Sequence, residues 1–169
     1  LISDFFSKEK FKSRYEKEKA KVVTSFSMFY DLESPLEFMS DIYEILDDDG
    51  VWSFEQSYMP TMLKKVSYDT VCHEHLEYYA LKQIKWMADR VGFKIIDIDF
   101  NEVNGGSFSV IAAKKNSEYL AYDKLNELLL IEDELGLDQL AIYKTFSENV
   151  RRSRDELIEF LEVANSEGA

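Results

Sequence analysis

Between residues 21 and 114 two kinds of apolar pattern alternate, and that alternation limits the fold more than anything else in the chain. "KVVTSFSMF" (21–29) is a short β-branched run and predicts a buried strand. "SPLEFMSDIYEIL" opens on Ser-Pro, and Leu36, Met39, Ile42, Tyr43 and Leu46 then keep a helical period. "DDDG" should stop that helix. "VWSFEQSYM" predicts the next strand, and a long irregular stretch, 57–80, follows it. "LKQIKWMADRVG" sets Ile84, Met87, Ala88 and Val91 on one helical face, with Gly92 as the stop. "FKIIDIDFNEV" alternates apolar and polar residues as a strand does. "NGGS" reads as a tight turn, and "FSVIAAKK" as the strand returning from it. Strand, helix, strand, helix, strand and hairpin strand predict an α/β sheet, mostly parallel, with the last strand antiparallel. Trp52 and Trp86 read as core residues.

The flanks are helical. Residues 4–20 are charged, with Phe5, Phe6, Phe11 and Tyr15 interleaved. After Tyr122, the residues Leu125, Leu128, Leu129 and Leu135 mark one helix, and Gly136 breaks it. Asp138 can cap a second, running through Phe146, Val150, Leu157, Phe160, Leu161 and Ala164. This is a C-terminal helical pair, or a bridge to something beyond residue 169. The expected division is 1–116 for the sheet domain and 117–169 for the helical segment.

Charge narrows the partners. Acidic residues outnumber basic ones 33 to 20, for a net charge of −13. That field repels phosphate backbones, which argues against nucleic acid and against anionic membrane surfaces. No apolar run approaches the roughly 20 residues of a membrane span. The first residues carry charges with no apolar core behind them, so they are not a signal peptide. They also lack an initiator Met, which predicts a chain that begins inside a longer protein. A single cysteine forbids an internal disulfide and fits a reducing, cytoplasmic compartment.

Ligands bind open α/β sheets at the carboxyl ends of the parallel strands. Three loops leave such ends: "SFSMFYD", the 57–80 segment, and "NEVNGGS". The second holds Cys72, His73, Glu74 and His75, with both histidines of the chain and its only cysteine. A metal reading has His73 and His75 two apart, but no second Cys and no further His to complete a site. A thiol reading suffers because adjacent side chains seldom point at each other, so Cys72 reads as a small buried residue. An acid/base reading asks only for one imidazole near neutral pH and one group, Glu74 or a tyrosine, to orient it. On the residues alone it stands level with a plain polar loop.

"TSFSMFYDLESP", "GVWSFEQSYMPTMLKKVSYDTVCHEHLEYYAL" and "NGGSFSV" together resemble the S-adenosylmethionine-dependent C-methyltransferases of deoxysugar biosynthesis, in order, over roughly residues 20–165. The resemblance implies part of a Rossmann-like class I methyltransferase sheet. Family members look three-part, with a zinc-cysteine module, a cofactor domain with a Gly-rich loop, and a C-terminal α/β domain. Neither the cysteines nor the Gly-rich loop is here, and the chain ends about where the last domain would begin. The expectation is therefore a fragment, inactive alone, with most of the S-adenosyl-L-methionine site outside it. Similar enzymes methylate a carbon beside a ketone in a nucleotide-linked sugar, a small-molecule substrate. Carried over, His75 is the base and Glu74 its partner in proton transfer. Ser25, Phe26 and Ser27 lie by the methyl donor. Tyr58, Tyr78, Tyr79, Asn104, Gly105 and Gly106 lie by the substrate, and no metal is involved. Two positions depart from better-known members, some of which carry a Tyr where Cys72 stands and a His near Met28. Without its early strands, the first strand would leave an apolar edge open to self-association. A non-catalytic binding piece and a metal enzyme built on "HEH" are the competing readings.

Overall fold

The computed structural model describes residues 1–168. Four strands make one sheet: β1 (Ala20–Phe26), β2 (Leu46–Ser57), β3 (Phe93–Asn101) and β4 (Ser107–Lys114). Their spatial order is β1-β2-β4-β3. β1 lies parallel to β2, and β4 is antiparallel to both its neighbours, β2 and β3. Three strands thus point one way and the last points back, as the alternation predicts. The returning strand lies inside the sheet, not at its rim. Its composition allows this: Phe108, Val110, Ala112 and Ala113 are all buried, so β4 presents apolar or small side chains to both faces.

Six helices accompany the sheet: α1 (Lys8–Tyr15), α2 (Pro35–Ile45), α3 (Met59–Lys65), α4 (Leu81–Val91), α5 (Leu125–Glu134) and α6 (Leu140–Ser166). Pro35 opens α2, whose Met39, Ile42 and Ile45 turn inward. α4 ends on Gly92 in the left-handed region (φ 105°). Together with β2 these helices bury Phe29, Trp52, Phe54, Phe93, Ile84 and Leu81 in one core. Burying a Phe such as Phe54 stabilises the fold by about 1.5–3 kcal/mol relative to exposure.

Three local expectations differ from the structure. "DDDG" does not end α2, because the chain passes straight into β2 at Leu46. The acids lie along the strand, where Lys21 pairs with Asp47 (2.8 Å) and Lys114 with Asp48 (2.9 Å). The register slips there, between Ala20 and Val22. The 57–80 segment is not wholly irregular. It contains α3, with Pro60 in its first turn and Val66 in the left-handed region at its end. Seven residues are too few to show a period in sequence. Trp86 is 53% exposed, because α4 buries Leu81, Ile84, Met87 and Ala88 and leaves Trp86 on the other side. Arg90 covers its ring, 4.5 Å from the centroid.

The C-terminal helices dock on different partners. α5 lies against α4, with Leu125 in the main core. α6 lies against α3, where Leu137, Ile142, Tyr143 and Phe146 surround Met59, Met62 and Leu63 in a second cluster. No residue of α6 is itself buried. No helix among the described residues is long and apolar enough to cross a membrane.

Candidate active site

The loop after β1 and the 57–80 segment meet at Tyr30. Ser27 turns the chain at φ 51° and donates its N–H to the Glu55 carbonyl (2.9 Å). A 3-10 turn, Phe29–Asp31, then presents Tyr30. The Tyr30 carbonyl accepts the N–H groups of both Leu76 (3.0 Å) and Glu77 (3.1 Å). Those bonds lay His75 on the Tyr30 ring, with centroids 4.3 Å apart and planes at 50°. Tyr78 stands on another side of the imidazole at 6.5 Å, its hydroxyl donating to the Thr70 carbonyl (3.3 Å). Burial pushes the Tyr30 hydroxyl pKa up, against the pull of a Ser27 hydrogen bond, with Asp31 and Cys72 adding to the rise. Burial and then Cys72 also raise Tyr78. Ser27, Tyr30, Cys72, His75 and Tyr78 therefore share one neighbourhood. Tyr30 escaped the sequence reading, although its loop was marked as a rim loop.

The rest of the "CHEH" run faces solvent. The His73 side chain is 91% exposed, and its Nε2 lies 4.0 Å from Glu74 Oε1, itself open to water. So the carboxylate expected beside His75 neighbours the other histidine. Cys72 is exposed, not buried as the sequence suggested. Among the described residues no three His, Cys, Asp or Glu side chains gather as a metal site would need.

The "NGGS" turn meets the same segment at Tyr58, Thr61 and Ser67. Asn104, Gly105 and Gly106 all have positive φ (51°, 81° and 132°). A Cβ on Gly106 would collide with Thr61 Cγ2, and one on Gly105 would come within 2.8 Å of Ser67 Oγ. Gly106 also accepts the Tyr58 N–H (3.0 Å). The close approach that these glycines allow is to α3 and Ser67. The other two rim loops thus both meet the 57–80 segment, the Tyr30 loop at His75 and the glycines at Tyr58, Thr61 and Ser67.

The remaining residues divide between interior and groove. Tyr58 packs on Phe100 and Phe108, and its hydroxyl donates to Glu132 Oε1 (2.6 Å). Burial and that carboxylate raise its pKa. Tyr79 is buried against Phe29 with its hydroxyl unpartnered, and burial pushes its pKa up to about 12. Gln56, 1% exposed, has neither amide atom hydrogen-bonded within the protein. Ser25 Oγ accepts the Trp52 indole N–H (3.0 Å). Ser25, Phe26, Val23, Met28 and Phe38 line a groove of about 350 Å³ that contains no charged side chain. Phe26 is open to solvent beside it.

Residues 3–98 match the family described as methyltransferase domain, and residues 102–169 match the C-methyltransferase C-terminal domain. The C-methyltransferase NovU of Streptomyces niveus is 26% identical over 132 residues, 78% of this chain and 31% of NovU. The chain thus spans about a third of the length of that relative. Among solved structures, LepI in complex with SAM aligns at 12% identity over 57% of this chain and 27% of its own, with a TM-score of 0.48. The methyltransferase CalO6 aligns at 13% over 57% and 36%, also at 0.48. The two family matches adjoin at the end of β3. The chain belongs to the methyltransferase-domain family, and that match runs directly into one to the C-methyltransferase C-terminal domain.

Proposed function

We propose that this chain serves a C-methyltransferase that deprotonates and methylates a carbon beside a ketone, in a nucleotide-linked deoxysugar, within the cytoplasm. The observation that carries the reading is the half-buried His75 imidazole, held against Tyr30 where two rim loops join. S-adenosylmethionine supplies the methyl group as an electrophilic sulfonium. The chain's own task is to make the carbon nucleophilic. His75 takes the proton, and the C–H electron pair moves into an enolate whose charge rests on the ketone oxygen. Glu74, open to water, passes the proton on to solvent. Tyr78 flanks His75 on a side that Tyr30 does not cover, and holds a substrate oxygen. Tyr58, Tyr79, Asn104, Gly105 and Gly106 shape the wall behind. Ser25, Phe26 and Ser27 border the methyl donor through the uncharged groove.

His75→Ala tests this reading in the catalytically active protein. Turnover should fall by about 10²–10⁴, the range for loss of a general base, while calorimetric affinity for S-adenosylhomocysteine stays unchanged. Wild-type turnover would remove His75 from the mechanism.

A second reading rests on β1. Val22 is 62% exposed and Phe26 55%, and β1 hydrogen-bonds to β2 alone. We propose that two copies associate along this edge.

A further inference from the structure

Glu132 is 2% exposed, yet it is a carboxylate on a helix surface residue pattern, in "LLLIEDEL". Its oxygens are fully engaged. The Leu81 N–H donates to Oε1 at 2.7 Å, the Lys82 N–H donates to Oε2 at 2.9 Å, and the Tyr58 hydroxyl donates to Oε1 at 2.6 Å. Leu81 and Lys82 are the first two residues of α4. The N-cap residue there is Ala80, which has no side-chain oxygen to offer, so Glu132 supplies the acceptor from a helix distant in sequence. The helix N-terminus favours its charge.

The positions of those donors matter more than their number. Tyr58 directly follows β2, and Leu81 opens α4. Everything between them is the segment that carries Glu74 and His75. Side-chain bonds inside the segment are few, chiefly Thr70 to the Ser67 carbonyl and Tyr78 to the Thr70 carbonyl. The two ends of the segment also meet directly, the Met59 N–H donating to the Tyr79 carbonyl (2.9 Å), and one buried carboxylate grips the residues on either side of that bond. It reaches across from α5, in the stretch that matches the C-terminal domain, to the methyltransferase domain.

We infer that Glu132 is a positioning residue for His75. By fixing Tyr58 to the start of α4, it reinforces the closure that the Met59–Tyr79 backbone bond begins, and so helps to lay the imidazole on Tyr30. The catalytic consequence rests on His75 being the base; the structural one does not. The C-terminal helices are on this view a restraint on the active loop.

Hydrogen exchange by mass spectrometry and NMR of the His75 ring test the inference on this chain. In Glu132→Gln the carboxylate becomes an amide whose NH₂ cannot accept. Exchange in residues 66–78 should accelerate by about tenfold or more, the scale of losing hydrogen bonds to a charged group. The His75 ring signals should move, while amides of β2 and β4 keep their protection. Tyr58→Phe, which removes one bond of three, should move the same signals less, and it decides the matter if Glu132→Gln fails to fold. Unmoved ring signals, or acceleration spread equally over the sheet, would overturn the inference. In the active protein Glu132→Gln should lower kcat and leave KM for S-adenosylmethionine unchanged, and an unchanged kcat counts against it. The ring signals report on the clamp and His75→Ala on the base, so either idea can fail without the other.

Discussion

Gln56 shows how a single side chain can belong to the core by position and not by chemistry. It follows Trp52 and Phe54 on the inward face of β2, and burial strips its amide of water without giving it a partner. An unmade hydrogen bond of this kind costs about 1–3 kcal/mol. Gln56→Met, similar in shape and free of that cost, should stabilise the chain by about 1 kcal/mol, read as a higher urea midpoint at unchanged slope. A lower midpoint would show that the amide is already satisfied. At this scale the sequence was readable where chemistry repeats locally. His75 stood out because both histidines of the chain lie in one run. Tyr30 and Glu132 did not, because the first is one aromatic among 10 tyrosines. The second draws its role from amides some 50 residues away.

Among the elements, the β3–β4 turn and α3 depend on each other. The turn approaches so closely that Thr61 occupies the space where a Cβ on Gly106 would lie, and Gly106 sits at φ 132° besides. Gly106→Ala should therefore destabilise by about 1–3 kcal/mol, the usual range for strain at a special backbone position. Its melting temperature should drop by several degrees, and Gly105→Ala should do the same through Ser67. A wild-type melting curve for Gly106→Ala would mean that the turn stands off from the helix in solution. The later strands and α2 and α4 were legible because each shows a period of burial; β1, read as a buried strand, buries none of its residues. α3 was not, since two turns with a proline resemble a loop. Trp86 misled because a large apolar residue was taken for core without asking which face of α4 it occupies.

For the whole molecule, the proposed association rests on the open side of β1. A strand with one open edge and exposed Val22 and Phe26 offers both hydrogen bonds and apolar surface. Sedimentation at rising concentration should show association, weakened about tenfold or more by Val22→Lys, which puts a charge into the contact. A monomeric wild-type profile at high concentration would end this idea. The sheet's order was only partly legible: alternation gives directions of strands but not who lies beside whom. That gap has a consequence for synthesis. With β4 seated between β2 and β3, the first half of the sheet and the third strand have no common neighbour until residue 114 has left the ribosome. A nascent chain stalled before Ser107 holds two sticky remnants instead of a half-built domain, and it should need chaperone cover for that interval.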